Sequence, residues 1–417
     1  MLAQIIKKQC PKKTTYLFNK HLSSTYSMQN SWEKQKIMKI KSMRGNNLIK
    51  VVLIIGTRPE IIKCYPIIKA MREDENFELS VVFTGQHREL LDMMIEDLDI
   101  KNFTNLRIFE SGQSLSHITA HALNALESLE SKDYDYCLVQ GDTTTVFAGA
   151  LWAFYNGIKV GHIEAGLRSN NIMSPFPEEA NRKMVSSLAS LNFAPTTLSM
   201  ENLIREGVKK ESVFVTGNTV IDTLRLSKKD QYTFSYDELN NLKDEEIILL
   251  TCHRRENQNH LDDIFGAVKD AIKDKDVKLI FPMHFTPKIR EYAKKYFADL
   301  KNVELIEPLS YHDMVHLLSK VSFVVTDSGG LQEEAPGFGK PVLVIREETE
   351  RPEGIEAGTC KLVGTEYDNI RRNIEELMEK GTMYKNMSHA KNPYGDGFAA
   401  ERILKILIED YKKENNA

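Results

Sequence analysis

The sequence has no stretch able to cross a bilayer: its longest aliphatic run is Val51–Ile55, against the ~20 apolar residues that a spanning helix needs. A membrane-spanning protein is excluded. Its five cysteines, Cys10, Cys64, Cys137, Cys252 and Cys360, are scattered without CxxC or other paired spacing. Neither a disulfide framework nor a zinc knuckle is readable, and a reducing, cytoplasmic setting is expected. None of the eleven histidines stands in HxH, HExxH or a zinc-type His/Cys arrangement, so no metal is expected. GxGxxG after a strand and GxxxxGK[ST] are both missing, which excludes a dinucleotide cofactor and a P-loop.

The body also lacks a surplus of positive charge. Residues 1–49 carry ten Lys/Arg against one acid, Glu33, which leaves 45 bases against 58 acids in the rest of the 417-residue chain. An acidic body disfavours nucleic acid as a partner. The basic first 49 residues have no apolar secretory core, so they are not a signal peptide. Transit peptides favour Arg over Lys, and a disordered extension or an upstream start codon, with Met43 as the alternative start, fits better.

From Lys50 onward, short β-branched runs alternate with helical patterns. Strands are predicted at Val51–Ile55, Leu79–Phe83, Tyr136–Val139, Lys159–His162, Leu191–Ala194, Val213–Thr216, Ile247–Thr251, Lys278–Pro282, Val303–Ile306, Phe323–Thr326 and Pro341–Ile345. Strands spaced by helices of this length make βαβ units and parallel sheets. The polar stretch Ser227–Glu246 falls between two such series and reads as a hinge. The expected architecture is α/β, with two doubly wound Rossmann-like domains, 50–226 and 227–397, facing a central cleft. No tandem repeat or low-complexity tract breaks the body.

The unusual polar motifs follow predicted strands, where open parallel sheets bind ligands. Asp327-Ser328-Gly329-Gly330 reads as a strand end, a tight turn and a helix start, where free N–H groups attract phosphate. A plain N-capped helix would use the same residues. Glu334 and Arg351 lie downstream at places suited to a ribose hydroxyl and an anion. Arg58 and Lys63, about one and a half turns apart on a helix start, suit a diphosphate, although a solvated surface pair has the same spacing. Asp142, Glu164 and Glu178 follow strands or lead a helix in the first domain and can converge on one pocket, where carboxylates tune each other for acid and base work. Glu178 and Glu179 would also simply favour a helix N-terminus. His253, beside Arg254 and Arg255, follows the first strand of the second domain. Asp133-Tyr134-Asp135 precedes a strand and reads as a solvated loop, not a metal-binding DxD.

Taken together, GTRPE with Lys63, TGQH, QGDTTT, GHIEAGLRS, SPFPEEANRK, HRREN, TDSGGLQEEAP and ETERPEGIEAGT resemble the non-hydrolysing UDP-N-acetylglucosamine 2-epimerases over roughly Lys50 to the C-terminus. The resemblance implies a GT-B architecture and a homodimer. It also implies reversible conversion of UDP-N-acetylglucosamine to UDP-N-acetylmannosamine, without a cofactor, for surface polysaccharide or glycan synthesis. Asp142, Glu164, Glu178 and His253 carry over as catalytic, and Arg58, Lys63, Ser328, Gly329, Gly330, Glu334 and Arg351 as binders of the UDP-sugar. Gln86, Arg254 and His284 match residues that hold a second, activating UDP-N-acetylglucosamine in some members. The helix 398–413 resembles the family's terminal helix, which returns to the first domain. Cys252, Thr286, Met314 and Glu89 depart from the family's usual Gly, Asn, Phe and Gln.

The implied chemistry follows from the substrate. The C2 hydrogen of a 2-acetamido sugar is not beside a carbonyl, so direct deprotonation is too slow. Anti elimination of UDP through a 2-acetamidoglucal, followed by re-addition, avoids that barrier and needs protonic groups on opposite faces of the ring. A hydrolysing 2-epimerase, a GT-B glycosyltransferase and a non-catalytic nucleotide-sugar sensor are the competing readings. GTRPE at the first strand end and the set of carboxylates weigh against them.

Overall fold

The computed structural model describes residues 48–85, 94–108, 112–129, 133–242 and 245–415. The basic extension lies outside the described residues apart from its last positions. A first sheet contains Ile49–Ile55 (β1), Phe77–Phe83 (β2), Phe103–Asn105 (β3), Tyr136–Gln140 (β4), Lys159–Ile163 (β5), Leu191–Ala194 (β6) and Val213–Val215 (β7). Their spatial order is β3-β2-β1-β4-β5-β6-β7, and every pairing is parallel. Glu246–Thr251 (β8), Val277–Pro282 (β9), Val303–Ile306 (β10), Phe323–Thr326 (β11), Val342–Val344 (β12) and Cys360–Leu362 (β13) form a second parallel sheet, in the order β10-β9-β8-β11-β12-β13. Helices cover both sheets, which is why the central strands are continuous apolar runs without alternation. These are two Rossmann-like domains.

β3 and β13 escaped the sequence reading because each is a three-residue edge strand with partly exposed side chains, so it carries no apolar run. The stretch read as a hinge is not a free linker. It contains a short helix, Asp237–Asn240, and buries Phe234 and Leu239 in the core of the second lobe. Tyr232 stacks on His316 at 3.7 Å and donates to Asp313. The aromatic residues that make this anchor are isolated among polar neighbours, which hid it in the sequence.

The last helix, Ala399–Asn415, buries Ile403, Leu404 and Leu407 in the core of the first lobe. At ~1.5–3 kcal/mol for each buried aliphatic side chain, this docking is integral to the lobe. Tyr136 and Lys159 also donate to Asp410 at 2.6 Å each. Among the described residues no helix is long and apolar enough to cross a membrane.

Candidate active site

In a doubly wound sheet the crevice opens where successive crossovers change direction. Here those points lie between β1 and β4 in the first sheet and between β8 and β11 in the second. The Gly56–Arg58 turn follows β1, Asp142 follows β4, His253 follows β8, and Asp327–Gly330 follow β11. Glu164 follows the adjacent β5. Most of the motifs singled out in the sequence therefore sit at the two switch points.

In the first lobe, Glu164 accepts from Gln140 Nε2 at 2.5 Å, from Asn218 Nδ2 at 3.2 Å and from the Lys63 ammonium. Its backbone is left-handed, with φ of 66°, a conformation unusual outside glycine and one that the surrounding contacts must hold. Gly141, at φ 84°, makes the turn that presents Asp142. A Cβ on Gly141 would lie 3.8 Å from Glu164 Oε2, so the Asp142 turn and Glu164 are close neighbours. The buried His162 ring bonds the Gly141 carbonyl through Nε2 at 2.8 Å. Burial, helped by Arg168 and Arg182, pushes this imidazole down to about 4, so it supports the turn in its neutral form.

Asp142 accepts from Arg182 Nε at 2.9 Å, and Asn181 donates to the Asp142 carbonyl. Arg182 lies one turn after Glu178, the first residue of the helix Glu178–Leu188, so Glu178 and the Asp142 partner share a helix face. Glu178 is half-buried, and among the described residues its side chain makes no hydrogen bond or ion pair. Its neighbour Glu179 is fully buried. It accepts from Ser169 N, Asn170 N and Arg182 and so anchors the preceding loop.

Across the cleft, His253 Nδ1 lies 2.9 Å from Asp327 Oδ1, and Asp327 also accepts from the backbone N–H groups of His253 and Arg254. Burial alone would raise the Asp327 carboxyl, but His253 and these N–H groups hold it below the usual carboxylate range. One oriented carboxylate thus fixes the imidazole. Ser328 stands at the N-cap position of the helix Gly329–Glu334 without a side-chain capping bond. A Cβ on Gly329 would meet Arg351 Nη1 at 2.5 Å, so the glycine lets the guanidinium press against the turn. A cavity of about 370 Å³ lies between the lobes, with Arg58, His253, Phe285, Met314, Ser328 and Glu334 on its walls. Burial, reinforced by Glu333, pushes the Glu334 carboxyl up to about 7.

A chain of buried and half-buried charges joins the two lobes. Lys63 contacts both Glu164 and Glu333, Arg351 contacts Glu333 and Glu350 at 2.6 Å each, and Glu350 contacts Arg254 at 3.3 Å. Burial opposes the charge on Lys63, but Glu164 and Glu333 outweigh it and hold the ammonium above the ordinary lysine range. Asn218 donates to both Glu164 and Glu333, and Thr196 of the first lobe donates to Glu353 of the second at 2.9 Å.

Asp142 and Glu164 are adjacent, Arg58, Ser328, Gly330 and Glu334 share one cavity with His253 and His284, and Gly329 touches Arg351. Gln86 lies outside the described residues. His284 is 5.7 Å ring to ring from His253, and Arg254 is paired with Glu350. Sequence reasoning missed Glu60, Gln140, Asn218, Asp327 and Glu333 as members of the site. Glu60 left a local signal, the Thr57-x-x-Glu60 capping box, and Gln140, Asp327 and Glu333 stand inside the strand-end motifs QGDTTT and TDSGGLQEEAP. Their partners, and Asn218 altogether, were hidden because they lie far away along the chain.

The family model described as UDP-N-acetylglucosamine 2-epimerase matches residues 69–408. A UDP-N-acetylglucosamine 2-epimerase from Bacillus subtilis is 46% identical over 367 residues, covering 87% of this chain and 96% of its own. A UDP-N-acetylglucosamine 2-epimerase from Campylobacter jejuni is 44% identical over 382 residues, covering 88% of this chain and 99% of its own. The crystal structure of the Neisseria meningitidis UDP-GlcNAc 2-epimerase bound to UDP-GlcNAc superposes with a TM-score of 0.77 at 41% identity, covering 86% of this chain and all of that one.

Proposed function

The chain belongs to the UDP-N-acetylglucosamine 2-epimerase family, and from that premise we propose that it interconverts UDP-N-acetylglucosamine and UDP-N-acetylmannosamine without releasing free sugar. The observation that carries this reading is the interlobe cavity that Arg58 of the first lobe shares with His253, Ser328 and Glu334 of the second, together with the Lys63 ammonium that joins Glu164 to Glu333 across the lobes. In the proposed reaction a carboxylate takes the C2 proton while the C1–oxygen bond breaks and its electrons leave with UDP. The products of this half-reaction are 2-acetamidoglucal and UDP. A protonated group on the other face then returns a proton to C2 as UDP re-adds at C1.

Asp142, Glu164 and Glu178 form the proton-handling set. Arg58, Arg351, His253 and the Ser328–Gly330 turn face the diphosphate and stabilise the negative charge as it departs. Lys63 serves the same end by holding positive charge between Glu164 and Glu333. Phe285, 64% exposed on the cavity rim, offers a ring for the uracil, with Met314 beside it. The lobes correspond to residues 50–226, with the helix from 398 returning to them, and 227–397. Exposed Phe154, Tyr155 and Met184 on two packed helices suit burial in a homodimer. The four described cysteines are all free and buried, which suits a cytoplasmic enzyme. His284 lines the cavity and Arg254 follows His253, and the two stand as part of an activator site. The product serves surface polysaccharide or glycan synthesis.

Incubation of the purified chain with UDP-N-acetylglucosamine in heavy water tests the reading. The expected product keeps its UDP and carries deuterium at C2. Stoichiometric free UDP and N-acetylmannosamine, or epimerisation without deuterium, would sink it. Light scattering of the same sample reports the oligomer.

A further inference from the structure

Glu60 lies buried at the third position of the helix Arg58–Glu73. Its Oε2 accepts from Gly56 N at 2.5 Å and Thr57 N at 3.2 Å, and its Oε1 accepts from the Thr143 hydroxyl at 2.7 Å. Thr57 and Thr143 are the N-cap residues of two different helices, Arg58–Glu73 and Thr144–Tyr155. An ordinary capping box would need only the bonds inside the first of them. Here the second oxygen goes to a residue 83 positions away, on the turn beyond β4.

The consequence is geometric. Arg58 directly follows Thr57, and Asp142 directly precedes Thr143, so one carboxylate ties the turn bearing a cation to the turn bearing an acid. The turns are also pressed together. A Cβ on Gly56 would meet Thr145 Oγ1 at 2.0 Å, and Thr145 Oγ1 lies 2.9 Å from Thr143 Oγ1. We propose that Glu60 is a positioning residue, which sets the placement of Asp142 relative to Arg58 through its bond to Thr143. This inference rests on the epimerase reading of the cleft. Burial, partly offset by the three donors, pushes the Glu60 carboxyl up to about 7, so its protonation changes near neutrality.

A double-mutant cycle separates positioning from helix capping. Thr143→Val removes the bond to Glu60, together with the cap bond from Val146 N and the contact with Thr145, and leaves both backbone bonds at Thr57 and Gly56. On the full chain it should lower kcat on the order of 10- to 100-fold, the effect of a misplaced catalytic group, with UDP affinity by calorimetry nearly unchanged. Thr143→Ser keeps the hydroxyl and should restore most of the loss. Glu60→Ala frees both turns and should lower kcat and UDP affinity together, and adding Thr143→Val to it should lower kcat far less than Thr143→Val does in the wild type, because only the cap bond from Val146 N is then left to lose. Glu60→Gln should recover most of the kcat, since its amide oxygen can take the backbone N–H groups while its NH2 donates to Thr143.

A Thr143→Val enzyme with wild-type kcat, or effects of the two substitutions that multiply, would overturn the proposal. Should Glu60→Ala fail to fold, Glu60→Asp, which keeps a carboxylate but is too short to span to Thr143, takes its place in the cycle. Amide exchange adds a readout that does not need activity: the peptides spanning 56–60 and 141–146 should lose protection together in Glu60→Ala, and unchanged protection of 141–146 would count against the proposal. A wild-type chain that fails to epimerise would sink the functional reading and leave exchange to judge the positioning.

Discussion

The ammonium of Lys63, on a helix of the first lobe, lies 3.3 Å from the carboxylate of Glu333, on a helix of the second. Lys63 also contacts Glu164, so one buried cation links a candidate catalytic carboxylate to the opposite wall of the cleft. Removing either partner leaves the other with one remaining opposite charge, Glu164 for Lys63 and Arg351 for Glu333, so the cost is below the ~3–5 kcal/mol of a fully uncompensated buried charge. Opening the lobes has a different effect, because water then solvates both groups. The pair therefore favours the closed arrangement without locking it.

Asp142→Asn, Glu164→Gln and Glu178→Gln should each lower turnover by roughly 10²–10⁴-fold, the size of a general acid–base contribution. UDP affinity should change much less. The three cases differ in stability: Glu164→Gln weakens the Lys63 contact and should lower the melting temperature, whereas Glu178, with no described side-chain partner, should be structurally neutral. Near-wild-type turnover in all three, with deuterium still entering C2, would move the search for the base to His253.

Arg58→Ala and Arg351→Ala should both weaken UDP binding, by about 1.5–3 kcal/mol for each charge-assisted phosphate contact. Their stabilities should diverge. Arg351 pairs with both Glu333 and Glu350, so its loss removes one cation from each, leaving Lys63 on Glu333 and Arg346 on Glu350, and should lower stability, whereas among the described residues Arg58 makes no ion pair of that kind. Calorimetry with UDP and urea unfolding of both variants check this. Equal unfolding midpoints would show that the Arg351 cluster contributes no stability.

Asp327→Asn keeps the shape of the carboxylate but replaces one acceptor oxygen with a donor facing His253 Nδ1 and the backbone N–H groups of His253 and Arg254. The imidazole should lose its fixed orientation and turnover should fall by roughly 10²-fold or more. His253→Ala in the Asp327→Asn background should add little. Multiplying effects would mean that Asp327 supports the fold and not the imidazole.

Glu60 gives a pH dependence of defined sign. Burial raises its carboxyl from 4.5 to about 7, so between those values the native state holds a proton that the unfolded chain has released. Stability from this group is therefore present at low pH and is lost as pH rises through that window. Glu60→Gln removes the titration. Its unfolding free energy relative to wild type should accordingly rise between pH 5 and pH 8, by on the order of a few kcal/mol. A difference between the two proteins that does not vary with pH would refute the raised carboxyl.

The apolar runs and their spacing were enough to read two parallel α/β lobes, because a strand covered by helices on both faces must be continuously apolar wherever it sits. The positions of Asp142, Glu164, His253 and Ser328–Gly330 after those strands were legible for the same reason: a strand end and the turn that follows it are local features. The partners of these residues were not legible. Glu60 to Thr143, Glu164 to Lys63, Thr196 to Glu353 and Tyr136 to Asp410 span separations of 83, 101, 157 and 274 residues, and nothing local selects one acid or hydroxyl over another. Only the packing of the two sheets against each other and against the last helix brings those groups together in a place dry enough for the contact to matter, which is why the tertiary structure alone decided which charges are paired and which carboxyls are shifted.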